Sequence, residues 1–323
     1  MDEFSFIKSI QQGSYRQPSV IHGIGDDAAV FRLHNQDVVT AKDMVVENVH
    51  FARNTMEPYH IGYKALAANL SDIAAMGAKP AYYLVAISIP NNWSMEEIKM
   101  IYIGMNDLAQ QYHVDLIGGD TVSGTELVIS ITVIGFVGKD KVRLRSHAKE
   151  DDIVFVTETL GDSQAGFYIL NHSGKYIEED YFIRRHQLPS PRVEFSLALH
   201  PIVRLCLNDI SDGIGSEANE IAEASQVSIL IEEERLPVHH NLKQFEDSLQ
   251  YKWKLFGGED YELIGTVSKK DWDQVQAIAE QLHIRVTKIG LVTSKSATAE
   301  VYLKSKNGRI ERLDKKGYNH LSR

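Results

Sequence analysis

At 114–117 a short run, Val114-Asp115-Leu116-Ile117, passes straight into Gly118-Gly119-Asp120-Thr121-Val122-Ser123-Gly124. Paired glycines let a backbone turn sharply and approach a ligand, because they accept positive φ and carry no Cβ. We expect a short buried strand here, ending in a turn with a carboxylate and hydroxyls beside it. For this motif alone the alternative is a Gly-Asp turn closing a hairpin. Repetition is what constrains the chain. An acid beside small residues at a strand end or turn recurs at Asp26-Asp27, Asp43, Asp72, Asp209 with Asp212, and Glu259-Asp260.

The 323 residues exceed a typical single core, which predicts two domains. Apolar periodicity predicts a short helix over 2–10, a strand at 38–41 with Lys42-Asp43 at its end, and a helix over 60–76 closed by Gly77. A strand at 82–89 follows. Ser94 with Glu97 forms a capping box for a helix reaching about residue 112, and 127–137 is a β-branched strand. A polar bridge at 148–152 divides the chain into 1–148 and 149–323. Beyond it we expect a strand at 153–157, a helix capped by Asp162 or Ser163, and a break at Pro189-Ser190-Pro191. A strand at 205–207, a helix over 214–225 and a strand at 227–231 come next. A second Gly-Gly-acid turn at 257–260, a strand at 262–267, a helix over 270–282 and strands at 286–292 and 301–304 complete the body. Strands and helices interleave in both halves, so the fold class is α/β or α+β in two layers each.

Converging carboxylates repel: two at 4 Å cost about 4 kcal/mol at an effective dielectric near 20. A site assembled from several of these acids therefore needs divalent cations. With one cysteine, Cys206, and no paired histidine ligands, the donors are oxygens, which select Mg²⁺ or Mn²⁺ over zinc. Magnesium shares its shell with substrate phosphates, which points to nucleotide chemistry. No P-loop, dinucleotide fingerprint or protein-kinase loop is present. A net charge of −10 argues against nucleic acid as partner. The opening residues lack a secretory pattern and no run is long enough to span a bilayer, so a cytoplasmic location is expected. Lys139, Lys141, Arg143 and Arg145 read either as a solvated loop or as cations for phosphate oxygens. Asp72 reads either as a solvated helix face or as part of a polar cluster with Asn69 and Ser71.

Nine motifs in order then match a known family. They are Gly23-Ile-Gly-Asp-Asp-Ala28, Asp43-Met-Val-Val-Glu-Asn-Val-His-Phe51, Asn69-Leu-Ser-Asp-Ile-Ala-Ala-Met-Gly77, Leu116-Ile-Gly-Gly-Asp-Thr121, Gly161-Asp-Ser163, His186-Gln-Leu-Pro-Ser-Pro-Arg192, Asp209-Ile-Ser-Asp-Gly213, Gly257-Gly-Glu-Asp-Tyr-Glu-Leu263 and Lys316-Gly-Tyr-Asn-His320. The series resembles the thiamine-monophosphate kinases of the aminoimidazole-ribonucleotide-synthetase-like (PurM-like) superfamily. The resemblance implies an N-terminal domain with a mixed sheet that dimerises through that sheet into a barrel, and a C-terminal α/β domain over the cleft. It also implies ATP-dependent phosphorylation of thiamine monophosphate. On its motifs, Asp27, Asp43, Asp72, Asp120, Asp209 and Asp212 would ligate several Mg²⁺ ions, with Asp72, Asp120 and Asp212 central to catalysis. Gly119, Asp120, Arg145, Ser211 and Tyr102 would touch ATP. His50, Glu259 and Tyr318 would frame the thiamine monophosphate.

The chain departs from the family at Ala41-Lys42-Asp43, where a small hydroxyl residue usually precedes the Asp. Either one magnesium is held more weakly, or Lys42 contacts a phosphate. Two other readings stay in play: another ATP-using member of the superfamily, such as the amidine-forming cyclo-ligase, and a non-catalytic nucleotide or Mg²⁺ sensor.

Overall fold

The computed structural model describes residues 18–22, 26–295 and 298–316. The expected helix over 2–10, the glycines at 23 and 25, and Tyr318 lie outside them. Two sheets organise the described chain. The first has the order β1-β2-β3-β6-β4-β5 and uses β1 (Val20–His22), β2 (Ala29–Leu33), β3 (Gln36–Val46), β4 (Lys79–Ile89), β5 (Asp115–Ser123) and β6 (Val128–Gly138). The β-branched run of β6 pairs with β3 without interruption from Gln36↔Gly138 to Val46↔Val128. Among the described strands of this sheet, β4 and β5 are the pair that runs in parallel, and a parallel pair needs a crossover. Helix α2 (Met95–Tyr112) supplies it, opened by the expected Ser94–Glu97 capping box.

Helix α1 (Pro58–Ala75) lies beside α2 over one face of this sheet, with Leu66, Leu70 and Ile73 packed into the same core as Ile101, Met105, Ile129 and Ile131. The two backbones touch because each brings a glycine to the crossing. A Cβ on Gly62 would stand 1.8 Å from the Ile101 carbonyl, and one on Gly104 2.0 Å from that of Tyr59.

The second sheet has the order β13-β12-β9-β11-β7-β10-β8. Its strands are β7 (Ile153–Thr157), β8 (Leu205–Asp209), β9 (Val227–Glu232), β10 (Leu263–Val267), β11 (Val286–Lys295), β12 (Val301–Lys304) and β13 (Ile310–Arg312). Helices α5 (Val193–Ala198) and α8 (Trp272–Gln281) pack on one face and α6 (Ile214–Ser225) and α7 (Asp247–Phe256) on the other, while α3 (Asp162–Asn171) and α4 (Glu179–Gln187) share a smaller core with α7. β7, β8 and β10 are apolar over most of their length because every residue in them is buried, and the polar ends of β7 and β8, Thr157 and Asn208-Asp209, are buried with them. Both halves are thus mixed α/β, as the interleaved pattern predicts.

Several local expectations are corrected. β5 is neither short nor buried: it runs through the glycines to Ser123 and every residue is exposed. Gly118-Gly119-Asp120 is therefore an edge strand and not a turn. β3 continues past Lys42-Asp43 to Val46. α3 has Gly161 as N-cap, at φ 84, with no side-chain cap from Asp162 or Ser163; the Asp260 carboxylate accepts from the Gly161 and Ser163 amides instead. α4 and α7 were not expected; each is short and buries only two residues fully.

The halves are joined where α1 ends. The last carbonyls of a helix lack partners within it, and the second half supplies some of them. Ser196 Oγ donates to the Ala74 carbonyl at 2.5 Å, and His200 Nε2 contacts the Gly77 carbonyl at 2.7 Å. Arg143, 2% exposed, donates through its guanidinium to the carbonyls of Leu199 and Ile202 at 2.9 and 2.7 Å. Burial lowers its pKa to about 10. Arg143 is therefore a structural clamp and not a phosphate ligand. Replacing it with alanine should cost about 3 kcal/mol, because it strands buried carbonyls and opens a hole. Urea denaturation checks this; an unchanged midpoint would remove the clamp.

Candidate active site

The sequence places acids on four separate elements, and the fold folds them inward together. Asp27 comes from the bend before β2, Asp43 from the middle of β3, Asp72 from the last turns of α1 and Asp209 from the end of β8. Carboxylate oxygens of Asp27, Asp72 and Asp209 lie within 4.8 Å of one another. Asp43 adjoins them, its backbone amide held at 3.0 Å by Asn69 Oδ1, while Asn69 Nδ2 donates to the Ala65 carbonyl. The electrostatics record the crowding. Burial, then Asp43 and Asp209, raises the Asp72 pKa well above the carboxylate range. Burial, then Asp27, does the same for Asp209 and raises Asp43. Asp26 is pushed up to about 8 by burial and by Asp27.

One cation stands among these acids. Arg145 Nη2 lies 2.8 Å from Asp27 and 3.1 Å from Glu220, and its Nε donates to Asn208 Oδ1. Burial opposes its charge, but Asp27, Glu220 and Asp26 outweigh it and hold the pKa well above the usual value. A single guanidinium does not neutralise the cluster. Asp27 Oδ2, Asp209 Oδ2 and Ser71 Oγ are buried with no hydrogen-bond partner. Orphaned buried oxygens of this kind are costly unless something fills the space between them. An all-oxygen set fits a hard divalent cation such as Mg²⁺.

Beside the cluster, two turns dock on each other. Asp209-Ile210-Ser211-Asp212 leads through Gly213 (φ 92) into α6, whose Glu217 accepts from the Asp212 amide at 3.1 Å and from Asn208 Nδ2 at 2.7 Å. The second Gly-Gly-acid turn lies against it: the Glu259 amide donates to the Ser211 carbonyl and the Tyr261 amide to that of Ile210. These bonds hold Glu259 and Tyr261 in the left-handed region, at φ 67 and 49, where non-glycine residues are strained and cluster at functional sites. The Tyr261 phenol is buried where Glu259, Asp43, Asp209 and Asp212 all act on it; burial first, then these acids, raises its pKa well above 10. Glu259 itself contacts Lys64 Nζ at 2.8 Å. His50, in the loop after β3, accepts the Val46 amide on Nδ1 at 3.1 Å.

Not every expected residue joins them. Asp120 pairs with Ala86, whose neighbours Val85 and Ile87 are buried in the core. By strand alternation Asp120 stands on the sheet face turned away from α1 and α2, so within one chain it does not meet Asp27, Asp72 and Asp209. Gly119 lies on the same exposed edge strand. Tyr102 is also apart: with Tyr83, Asn106, His113, Asp115 and Leu116 it lines an open cavity of about 610 Å³ between α2 and the edge of the sheet. Lys42 and Asp43 are consecutive on β3 and so face opposite sides. Lys42 Nζ is exposed, 3.4 Å from Thr132 Oγ1, and does not reach phosphates held at the cluster of its own chain. Lys64, His186 and Tyr261 were missed as site residues. One signal was available for Lys64: a lysine amid the alanines and leucines of α1 has no solvated face to occupy.

Comparison with known proteins identifies the family and the fold. Residues 25–137 match the AIR synthase related protein N-terminal domain, and residues 149–302 the corresponding C-terminal domain. The thiamine-monophosphate kinase of Bacillus subtilis is 48% identical over 327 residues, covering 99% of this chain and 100% of its own length. That of Escherichia coli K12 is 36% identical, covering 93% and 92%. Among solved structures, AaThiL complexed with AMPPCP and TMP superposes with a TM-score of 0.85 at 28% identity, covering 99% and 97%. The thiamine-monophosphate kinase of Stenotrophomonas maltophilia gives 0.77 at 32% identity, covering 89% and 92%. HypE, at 20% identity and a TM-score of 0.71, shares the fold. Full-length identity at this level, on a buried carboxylate cluster and a PurM-like two-sheet fold, shows that the chain belongs to the thiamine-monophosphate kinase family of AIR synthase related proteins.

Proposed function

We propose that the protein catalyses ATP-dependent phosphorylation of thiamine monophosphate to thiamine diphosphate by direct in-line transfer. The observation that carries this reading is the close meeting of half-buried Asp27 and Asp72 with buried Asp209, with Asp27 Oδ2 and Asp209 Oδ2 left unpartnered, in a chain of this family. The acceptor is a phosphate monoester, already nucleophilic at neutral pH, so no strong general base is required. The work reduces to charge neutralisation, alignment and exclusion of water. Mg²⁺ ions bound by Asp27, Asp43, Asp72, Asp209 and Asp212 would supply the neutralising charge around the ATP phosphates. The chain's own residues do the rest. Arg145 anchors the Asp27 side of the cleft, and Ser211 presents its hydroxyl near the phosphates. Glu259 and His50, with Tyr318, frame the acceptor. Tyr102, in its separate cavity, and Gly119 would contact the nucleotide.

Asp120 requires a second copy. β5 is an exposed edge strand with Leu116, Ile117 and Val122 all uncovered, and such edges are normally covered. We read the protein as a homodimer joined through this sheet, each cleft taking Asp120 and Gly119 from the other copy. In this reading 1–148 is the dimerising, ATP-binding domain and 149–323 closes the cleft. A cytoplasmic location belongs to this reading; no helix among the described residues is long and apolar enough to cross a membrane.

The test is ADP release by the purified protein with ATP and Mg²⁺ on addition of thiamine monophosphate. We expect release strictly dependent on the acceptor. Release only with the cyclo-ligase's ribonucleotide would replace this reading with that activity, and no release with any acceptor would leave a sensor.

A further inference from the structure

Lys64 is a buried ammonium that the proposed reaction does not use. It projects from α1, 5% exposed, and crosses between the two halves to the Glu259 carboxylate at 2.8 Å. Its other neighbour is His186 Nδ1 at 3.4 Å, on α4, and Ser163 Oγ lies 3.1 Å from the same nitrogen. His186 and Ser163 are 2% and 0% exposed. Burial lowers the Lys64 pKa and the Glu259 carboxylate opposes that; a charged Lys64 has only hydrogens to offer, so facing it His186 Nδ1 presents its lone pair. Burial, then Lys64, keeps the imidazole neutral, well below its ordinary pKa. Lys64 and His186 thus form a hydrogen-bonded base behind one oxygen of Glu259, whose side chain is 26% exposed toward the cleft. The backbone of Glu259 is fixed as well, by its left-handed φ and its bond to Ser211.

The helix that carries Lys64 also carries Asp72 two turns further on, about 12 Å along its axis. α1 is buried almost throughout, so it holds both residues on one rigid element. In-line transfer depends on that kind of alignment between the two phosphorylated ligands.

We propose that Lys64, backed by neutral His186, is a positioning residue that fixes the Glu259 carboxylate against the acceptor substrate in register with Asp72. This rests on the reading of Glu259 as an acceptor-binding residue. Steady-state kinetics on the Mg²⁺-supplied protein separate the two ideas, using Lys64→Met, Glu259→Gln and the double variant, with melting temperatures measured alongside. Lys64→Gln serves if Lys64→Met does not fold. Losing a hydrogen bond to a charged group should raise KM for thiamine monophosphate about tenfold in Lys64→Met and leave KM for ATP within about twofold. Glu259→Gln should match it, and the double variant should be no worse than Glu259→Gln alone. An unchanged acceptor KM in the Lys64 variants beside a raised one in Glu259→Gln overturns the proposal and spares the Glu259 reading. Both KM values moving together, or additive effects in the double variant, also overturn it. If Glu259→Gln leaves the acceptor KM unchanged, the Glu259 assignment falls and the positioning role falls with it.

Discussion

Asp72→Asn is expected to lower turnover by about a thousandfold while raising the melting temperature in metal-free buffer. The loss follows from removing a charged ligand from a preorganised electrostatic site, where single groups are worth about 10²–10³ in rate. The gain follows from relief of repulsion. Asp72 is crowded by Asp43, Asp209 and Asp27, and two carboxylates at 4 Å cost about 4 kcal/mol at an effective dielectric near 20. The folded pKa of Asp72 lies above its unfolded value, so the folded state holds a proton that the unfolded state loses. Native Asp72 therefore costs nothing near pH 3 and costs progressively more as pH rises toward its folded pKa. The stabilisation by asparagine should be absent in acid and largest above neutrality, and Mg²⁺ should reverse the order by stabilising only the native protein. Scanning calorimetry in chelator at several pH values, beside the ADP-release assay, measures both. Native turnover, or a lower melting temperature at pH 8 in chelator, would falsify the carboxylate site.

Asp120→Asn should be as damaging to turnover as Asp72→Asn, although Asp120 stands apart from the cluster within its own chain. The two defects should complement each other. If each cleft takes Asp120 from one copy and Asp72 from the other, a mixed dimer of the two variants contains one site with both defects and one with neither. With two-fold symmetry and random exchange, an equal mixture should recover about a quarter of native activity. Unfolding and refolding the mixture, followed by the ADP-release assay, reads this directly. Recovery no greater than that of either variant alone would mean that Asp120 serves its own chain or no site.

Much of the scaffold was legible because it is local. The capping box at Ser94–Glu97, the glycine closing α1 and the mostly apolar strands of the second sheet each depend on residues within a few positions. The ordered motifs were legible too, and they pointed to the family that the comparisons show.

Direction was not legible. Arg143 and Arg145 are two residues apart in one basic run, yet one clamps carbonyls between the halves and the other faces Asp27. Lys42 and Asp43 are neighbours, yet the pleat sends them to opposite faces.

By itself the sequence determined most of the elements and what chemistry their ends offer, because capping, periodicity and side-chain type act over a few residues. The tertiary structure alone decided which acids meet, why Asp120 stays apart, and that Lys64 reaches Glu259. Those outcomes depend on strand register and helix packing between segments far apart in the chain, where a one-residue change of face turns a ligand into a surface residue.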